Sequence, residues 1–363
     1  MYIYQQKNWP KFTWDHLQIN PKVSTIRHRQ GKILGLMSAA GFDLKEKAIL
    51  QTLTMDVTKS SEIEGELLNI EMVRSSIAKR LGIEIAGLPV ADRDVEGVVE
   101  MMLDATQKYN DPLTEERLYN WHSAIFPTGR SSLSKIIAGN WRLGPIHVLS
   151  GAMGKEKVHF EAPDAERVAA EMQAFIGWFE EKDDLDPVLK AAVAHFWFVT
   201  IHPFDDGNGR ITRAITDMQL ARADKTEQRF YSMSAQIQAE RNAYYDILER
   251  TQKGTLDITL WLLWFMDCLD RAMNSTDQIL EKIKLRILFW EKHKSTDFNQ
   301  RQQKMINILL NDFFGSLNVS KWSKMTTCST DTALRDIQGL IHKNILVKEA
   351  AGGRSTHYQL RSA

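Results

Sequence analysis

The 363-residue sequence predicts a mainly α-helical protein. From about Ala91 to Ser295 the residue pattern is helical almost throughout. Helix-start signals support this prediction, since Asp186-Pro187 places a capping carboxylate before a proline at the first helical position. The exception is the stretch 141–160, where Ile146, Val148 and Val158 flank a Ser-Gly-Ala-Met-Gly-Lys turn and predict a β-hairpin.

Residues 1–90 are predicted to form an N-terminal helical unit. It opens with an aromatic-rich segment whose rings are interpreted as packing anchors, because few basic residues lie between them. We expect one helix from Val23 to Ala40 and a second from Asp43 towards Glu64. Apolar residues recur along the second helix at helical spacing, and Gly65 is predicted to end it.

Residues 91–294 are predicted to form the helical core of the chain. Four helices are expected before the most informative stretch of the sequence. His195 lies on an apolar helix and is interpreted as a core residue. The expected ranges are 94–109, 114–125, 164–181 and 186–201.

Residues 295–363 differ in character from the rest. Three short helices are expected at 298–310, 319–326 and 329–343, followed by two strands around a Gly352-Gly353 turn. This order resembles a winged helix-turn-helix. Nine Lys or Arg residues against five Asp or Glu give the segment a basic excess. DNA binding and protein docking are both compatible with this pattern and stay open.

Bulk composition excludes several classes of protein. The formal net charge is +0, so no global field attracts nucleic acid or a membrane. Cys268 and Cys328 are the only cysteines, which excludes a disulfide scaffold and suits a reducing compartment. The longest apolar run is shorter than the ~20 residues that a membrane span needs. We therefore expect a cytoplasmic protein without a membrane segment.

The stretch from His202 to Arg213, His-Pro-Phe-Asp-Asp-Gly-Asn-Gly-Arg-Ile-Thr-Arg, combines groups that phosphate chemistry on a nucleotide requires. Pro203 prevents His202 from continuing a helix and places it in a loop. A helix that begins near Gly209 presents free N–H groups and a positive dipole end to an anion. Arg210 and Arg213 are three residues apart and share a helix face, free to point at a polyphosphate. A structural turn would explain an isolated histidine, but not this whole pattern.

The same run matches every fixed position of the Fic signature HPFx(D/N/E)GNGRxxR, so the chain resembles the Fic family over roughly residues 1–290. Most members transfer AMP from ATP to protein hydroxyl groups. The resemblance implies a helical core with a β-hairpin flap, here 146–160, which aligns a target segment by strand pairing. Gly209 favours AMP transfer, because the related Doc toxins, which phosphorylate, carry a lysine there.

The resemblance also implies a role for each motif residue. His202 would be the catalytic base, and Asp205 would hold Mg²⁺ at the α- and β-phosphates. Asn208 and the loop N–H groups would cradle the phosphates, while the two arginines would bind the β and γ groups. Phe204 would be a buried anchor. The expected ATP-binding residues are Glu64, His202, Asp206 (its carboxylate solvated), Gly207, Asn208, Gly209, Arg210, Arg213 and, at the adenine, Tyr245.

An inhibitory element is expected upstream, since Ser60-Ser-Glu-Ile-Glu64-Gly65 matches the (S/T)xxxE(G/N) pattern of Fic proteins. Ser60 and Glu64 share one helix face. A carboxylate in the last turn of a helix opposes the macrodipole, so a cationic partner explains it better than solvent. In the family this glutamate pairs with the second motif arginine, here Arg213, and ATP then binds unproductively.

Together these patterns predict a protein adenylyltransferase, autoinhibited by Glu64, that modifies Ser, Thr or Tyr hydroxyls of a target protein or of itself. ATP is the co-substrate, Mg²⁺ the cofactor, and a homodimer is expected from the resemblance. Two alternatives stay open: a de-AMPylase that uses the same site, and a winged-helix regulator whose Fic core senses nucleotide.

Overall fold

The computed structural model describes most of the chain, in two compact units, Met1–Asp277 and Gln278–Ala363. The described ranges are 1–39, 42–83, 89–131, 134–150, 157–310, 316–349 and 356–361. Within helices and strands, the side chains of residues 42–44, 150, 275, 277–280 and 282–283 lie outside the description.

Helices make up most of the first unit. Polar side chains cap several of them: Asp15, Asn69 and Asp186 each accept a backbone N–H from the first turn that follows. The helices are α1 His16–Ser38, α2 Phe42–Ile63, α3 Ile70–Leu81, α4 Arg93–Gln107, α5 Glu115–Ile125, α6 Ala165–Glu180, α7 Pro187–Ile201, α8 Asn208–Asp224, α9 Met233–Ala239, α10 Arg241–Gln252 and α11 Thr259–Lys292, which crosses the boundary between the units.

The centre of the first unit is the pair α7 and α8. Every residue of α7 after Pro187 is buried, which suits a helix that is apolar on all sides. One hydrophobic cluster joins α2, α3 and α4 to α5, α6, α7 and α8, and it includes Leu53, Val98 and Ile215. The N-terminal helices therefore share the core of this unit, and the domain boundary at residue 90 stays a prediction.

The predicted hairpin is present. Strand β3 (His147–Ser150) pairs antiparallel with β4 (Lys157–Glu161), after a two-residue pair β1 (Arg130–Ser131) and β2 (Ser134–Lys135). Phe160 is buried against Tyr4 and fixes the base of the hairpin. The predicted turn at 150–155 lies almost wholly outside the described residues.

The second unit has its own core, in which Trp322 is fully buried. Its elements are α12 Gln300–Leu310, α13 Val319–Thr326, α14 Thr330–His342, β5 Leu346–Lys348 and β6 Tyr358–Leu360. Leu317 adds a bridge to Tyr358 beside the hairpin. The element order is the one expected from the sequence, although the first unit extends to residue 277 and not to 294. The Gly352-Gly353 turn lies outside the described residues, and the winged-helix interpretation stays a prediction.

Two helices differ from expectation. Helix α1 begins at His16 because Asp15 caps it, and Pro21 is accommodated within it. Helix α3 was not predicted, although Asn69 caps its start and Gly82, with φ +71°, ends it. None of the helices in the described ranges combines the length and apolar character needed to cross a membrane.

Candidate active site

The predicted motif forms the connection between α7 and α8. His202 is the C-cap residue of α7, with φ +52°, and Gly207 is the N-cap residue of α8, with φ +75°. A Cβ at Gly207 would lie 2.7 Å from Ile125 Cδ1, so both the conformation and the space require glycine. The first hydrogen bond of α8 joins the Ile211 N–H to the Gly207 carbonyl. The N–H groups of residues 208–210 have no carbonyl partner within the helix, as expected for the first turn.

Asn208 has a different role from the one expected. Its Oδ1 accepts the Phe204 N–H at 2.9 Å, and its Nδ2 donates to the Phe204 carbonyl at 2.8 Å. The side chain thus closes the loop on itself and is buried. Because its amide is used within the loop, the prediction that Asn208 helps to cradle the phosphates stays a prediction for its backbone. Its backbone N–H remains available to an anion.

The His202 side chain is oriented and neutral. Its Nδ1 lies 3.1 Å from the Val199 carbonyl oxygen, so that nitrogen carries the hydrogen and Nε2 has the lone pair. Burial lowers the pKa of His202 below its ordinary value of 6.5, and the guanidinium of Arg142 lowers it further. The imidazole is therefore a base ready to accept a proton near neutral pH.

Arg142 holds the loop that carries His202. Its Nε donates to the His202 carbonyl at 2.8 Å, and its backbone N–H donates to the Pro203 carbonyl at 2.9 Å. The guanidinium also donates to the carbonyls of Gly144 and Pro163, and the residue is only 1% exposed. Sequence reasoning missed Arg142, since no local pattern marks an arginine whose partners lie in a distant loop.

His122 supports the other side of the same loop and was also missed. Its ring stacks on Phe204 at a centroid distance of 4.1 Å. Its Nδ1 accepts the Gly139 N–H, so Nε2 donates to the Asp206 carbonyl at 3.2 Å. Burial lowers the pKa of His122 to about 4, which keeps this ring neutral.

The two acidic residues of the loop differ in environment. Asp205 is half-buried, and its Oδ2 accepts the Ile137 N–H at 2.9 Å. Asp206 accepts hydrogen bonds from the Ser131 hydroxyl and the Gly207 N–H. The expectation of a solvated Asp206 carboxylate is therefore wrong, because the Ser131 side chain and the loop itself bind it.

The donor set at Asp205 fits Mg²⁺. The described residues contain no cluster of three His, Cys, Asp or Glu side chains that would hold a metal by itself. Mg²⁺ binds through one or two carboxylates and completes its octahedron with phosphate oxygens and water. The second oxygen of Asp205 has no described hydrogen bond and suits this role.

Arg213 is bound by the end of α2, as predicted. Its Nη2 donates to Glu64 Oε1 at 2.7 Å and to the Ser60 carbonyl at 2.8 Å, and its Nε donates to the Ser60 hydroxyl at 2.8 Å. The Arg213 side chain is 2% exposed and that of Glu64 is 31% exposed. Helix α2 ends at Ile63, so Glu64 stands just beyond it, followed by Gly65 with φ +86°.

The Glu64 carboxylate lies at the N-terminal end of α8. A Cβ at Gly209 would lie 2.0 Å from Glu64 Oε1 and 3.1 Å from Arg213 Nη1. An anion therefore already stands between the first turn of α8 and a motif arginine, which is where the helix terminus favours a phosphate. Glu64 occupies this anion position.

Arg210 has an acidic partner too, which the sequence did not predict. Its Nη1 donates to Glu66 Oε2 at 2.6 Å, and its guanidinium lies 4.9 Å from the Phe126 ring centroid. The expectation that both arginines are free to point at a polyphosphate is wrong in this state. No local signal distinguishes Glu66, which follows the predicted element by one residue.

Tyr245 lies half-buried beside this cluster. The Arg241 guanidinium is 5.4 Å from its ring centroid, and the Arg241 Nε donates to the Ile63 carbonyl at 2.9 Å. Burial and the nearby Glu64 carboxylate raise the pKa of the Tyr245 hydroxyl. Contact with adenine stays a prediction. His195 is fully buried between Thr216 and Tyr244, in the core position expected.

Two families match separate parts of the chain. Residues 2–83 match a family described as a domain of unknown function, DUF4172. Residues 112–220 match the Fic/DOC family. The second range contains α5, α6, α7, the complete loop and most of α8, so it covers the candidate site apart from residues 64–66 and Tyr245.

Proteins named protein adenylyltransferase Fic are similar to the chain. That of Culex quinquefasciatus is 26% identical over 223 residues, which is 58% of this chain and 39% of that protein. That of Drosophila mojavensis is 27% identical over 218 residues, with the same shares. The chain thus spans about two fifths of the length of these curated relatives.

A solved structure with the same fold is a Fic family protein from Desulfovibrio desulfuricans G20. It has a TM-score of 0.58 and 18% identity, and the match covers 94% of this chain and 97% of that one. At this identity the likeness establishes the fold, and it leaves the activity to be argued from the site.

Proposed function

Residues 112–220 are a Fic domain, and on that premise we propose that the chain is a protein adenylyltransferase, which moves AMP from ATP to a protein hydroxyl group. One observation carries the proposal: a neutral imidazole with a free Nε2 stands at the end of α7, next to a helix N-terminus and two buried arginines. A base beside an anion site is the arrangement that nucleotidyl transfer requires.

The chemical step follows from these groups. The hydroxyl oxygen of a Ser, Thr or Tyr attacks the α-phosphorus of ATP, and its proton passes to His202 Nε2. The bond from the α-phosphorus to the bridging oxygen breaks, and pyrophosphate leaves with that electron pair. The first turn of α8, Arg210 and Arg213 would stabilise the negative charge on the phosphates. Because little covalent chemistry falls to the protein, catalysis depends on position and electrostatics.

We propose that Asp205 holds a Mg²⁺ ion bound with ATP. The ion would neutralise negative charge on the phosphate oxygens. Asp205 is suited to hold it, since the Ile137 N–H fixes one carboxylate oxygen and the other has no described hydrogen bond.

The Glu64 contact makes the described state an inhibited one in this proposal. Arg213 is nearly inaccessible while Glu64 and Ser60 bind it. A triphosphate that needs this arginine must first displace the carboxylate from the end of α8. The described sheet of β3 and β4 contains these two strands alone. A target segment, or a segment of a second copy of the chain, can pair there through its main chain.

The test is AMP transfer from α-labelled ATP with Mg²⁺, in cell lysate and with the protein alone. We expect label to rise in Glu64→Gly and to disappear when His202→Ala is added. Glu62→Gln is the matched control, because Glu62 is a nearby carboxylate that pairs with Lys59 and Gln238 and not with the motif. Bound ATP without label in Glu64→Gly would refute the transferase proposal.

The alternative direction of the reaction uses the same residues. Release of AMP from a preformed AMP-protein, abolished by His202→Ala, would indicate a de-AMPylase. The homodimer and DNA or protein binding by α13 and α14 remain predictions. DNA binding that survives His202→Ala, with no AMP transfer under any condition, would favour a regulator instead.

A further inference from the structure

The ion pair between Glu66 and Arg210 has features of a controlled site rather than a surface contact. The Arg210 side chain is 6% exposed, while that of Glu66 is 39% exposed. Arg210 Nε is buried and has no described hydrogen-bond partner. A guanidinium that is dehydrated on one side and neutralised by a single carboxylate will accept another anion if that carboxylate leaves.

The chain geometry couples Glu66 to Glu64. Gly65, with φ +86°, reverses the chain between them. The N–H groups of both glutamates donate to the Ser61 carbonyl, at 3.1 Å from Glu64 and 3.0 Å from Glu66. One compact turn therefore directs two carboxylates at two arginines that share a face of α8.

We propose that Glu66 is a second inhibitory carboxylate, which withholds Arg210 from the nucleotide while Glu64 withholds Arg213. This proposal rests on the proposed function, because it assumes that the anion which Arg210 takes is the triphosphate of ATP. Its consequence is that removal of Glu64 alone leaves the site half inhibited.

The two arginines are not interchangeable in this scheme. Arg213 retains the Ser60 hydroxyl and carbonyl after Glu64 is removed, so its guanidinium stays anchored. Arg210 has the Phe126 ring and Glu66 as its described partners. Loss of the Glu66 charge should therefore increase the attraction of Arg210 for phosphate without loosening Arg213.

The opposite role for Glu66 makes the opposite prediction. If Glu66 only orients Arg210 for phosphate binding, then removal of its charge should weaken nucleotide binding, because the guanidinium would lose its fixed direction. If the pair is an incidental surface contact, the removal should change nothing. Equilibrium binding of Mg-ATP separates all three cases, and it does so without any transfer activity.

The experiment compares Mg-ATP dissociation constants of Glu64→Gly and of Glu64→Gly with Glu66→Gln. We expect the double variant to bind about 3- to 10-fold tighter, as for a partly exposed ion pair whose competition is removed. In an Arg210→Gln background the same Glu66→Gln change should have no effect. Glu71→Gln is the control, since Glu71 is exposed on the first turn of α3 and no contact between its side chain and the motif is described.

The outcomes are separable from those of the proposed function. Unchanged or weaker binding in the double variant, with thermal unfolding unaltered, overturns the second inhibitory contact. An equal gain from Glu66→Gln in the Arg210→Gln background also overturns it, because the effect would not act through that arginine. Absent AMP transfer with the expected gain in binding would refute the transferase and leave the contact standing.

Discussion

Replacing Arg229 with methionine should destabilise the first unit severely, because this arginine neutralises a buried acidic cluster. Its Nη2 donates to Asp217 Oδ1 at 3.0 Å, and the two side chains are 0% and 1% exposed. Asp56, on α2, is also fully buried and accepts a hydrogen bond from the Ser232 hydroxyl. The cluster thus joins α2 to α8.

The expected loss of folding free energy is about 3–5 kcal/mol at pH 7, which is typical when one partner of a buried ion pair is removed. Burial raises the pKa of both Asp56 and Asp217, and Arg229 opposes that rise. A carboxyl group whose pKa is higher in the folded state favours folding at low pH and loses that contribution as the pH rises. Without Arg229 the pKa values rise further. The loss should therefore be smaller at pH 5 than at pH 8.

Amide hydrogen exchange of α2 and α8 measures this loss within the first unit. Arg271→Met is the control, because its ion pair with Glu240 is largely exposed on the arginine side, at 42%, and should contribute less than about 1 kcal/mol. A loss below about 1 kcal/mol in Arg229→Met, or an equal loss at pH 5 and pH 8, would refute the reasoning about the buried cluster.

Because burial lowers the pKa of His202, the rate of AMP transfer by the Glu64→Gly variant should fall on acidification only below pH 6.5. A pH–rate profile whose acid limb lies above pH 6.5 would contradict the assignment of His202 as the catalytic base. Arg142→Ala should lower the rate constant of transfer by about tenfold or more while Mg-ATP affinity changes less, since it removes the guanidinium that binds the His202 carbonyl. An equal fall in affinity would indicate a general collapse. Asn208→Ala should lower the folding free energy by about 1–3 kcal/mol, because it leaves the buried N–H and carbonyl of Phe204 unpaired. Amide hydrogen exchange in α8 measures this loss, and unchanged exchange would contradict the prediction.

The geometry of the loop was predictable because its constraints are local. Pro203 excludes helix at His202, and Gly207 supplies the positive φ that starts α8, so the sequence itself specifies a loop between two helices. The pairing of Glu64 with Arg213 was predicted through the family resemblance, together with the unfavourable position of a carboxylate at a helix C-terminus.

The missed residues act through contacts that are distant in sequence. Arg142 binds carbonyl groups sixty residues further along, and Glu66 reaches an arginine 144 positions away. Arginine and glutamate are common on protein surfaces, so neither stands out by residue type or spacing. Asn208 shows a different limit, because the motif marks it clearly. The sequence pattern alone does not distinguish a side chain that binds ligand from one that closes the loop.

The structure also restricts how the proposed inhibition by Glu64 could be released. Residues 2–83 match a family of their own, yet α2 shares one hydrophobic cluster with α5 to α8, and its Asp56, Ser60 and Ser61 are 0% exposed. Withdrawal of the whole helix would expose that cluster and separate the buried Asp56 from the Ser232 hydroxyl. The turn after it is different, since the Glu64 and Glu66 side chains are 31% and 39% exposed. If Glu64 and Glu66 inhibit as proposed, a partner or a nucleotide could therefore displace the turn at far lower cost than the helix, and regulation should act on residues 64–66 while α2 stays docked.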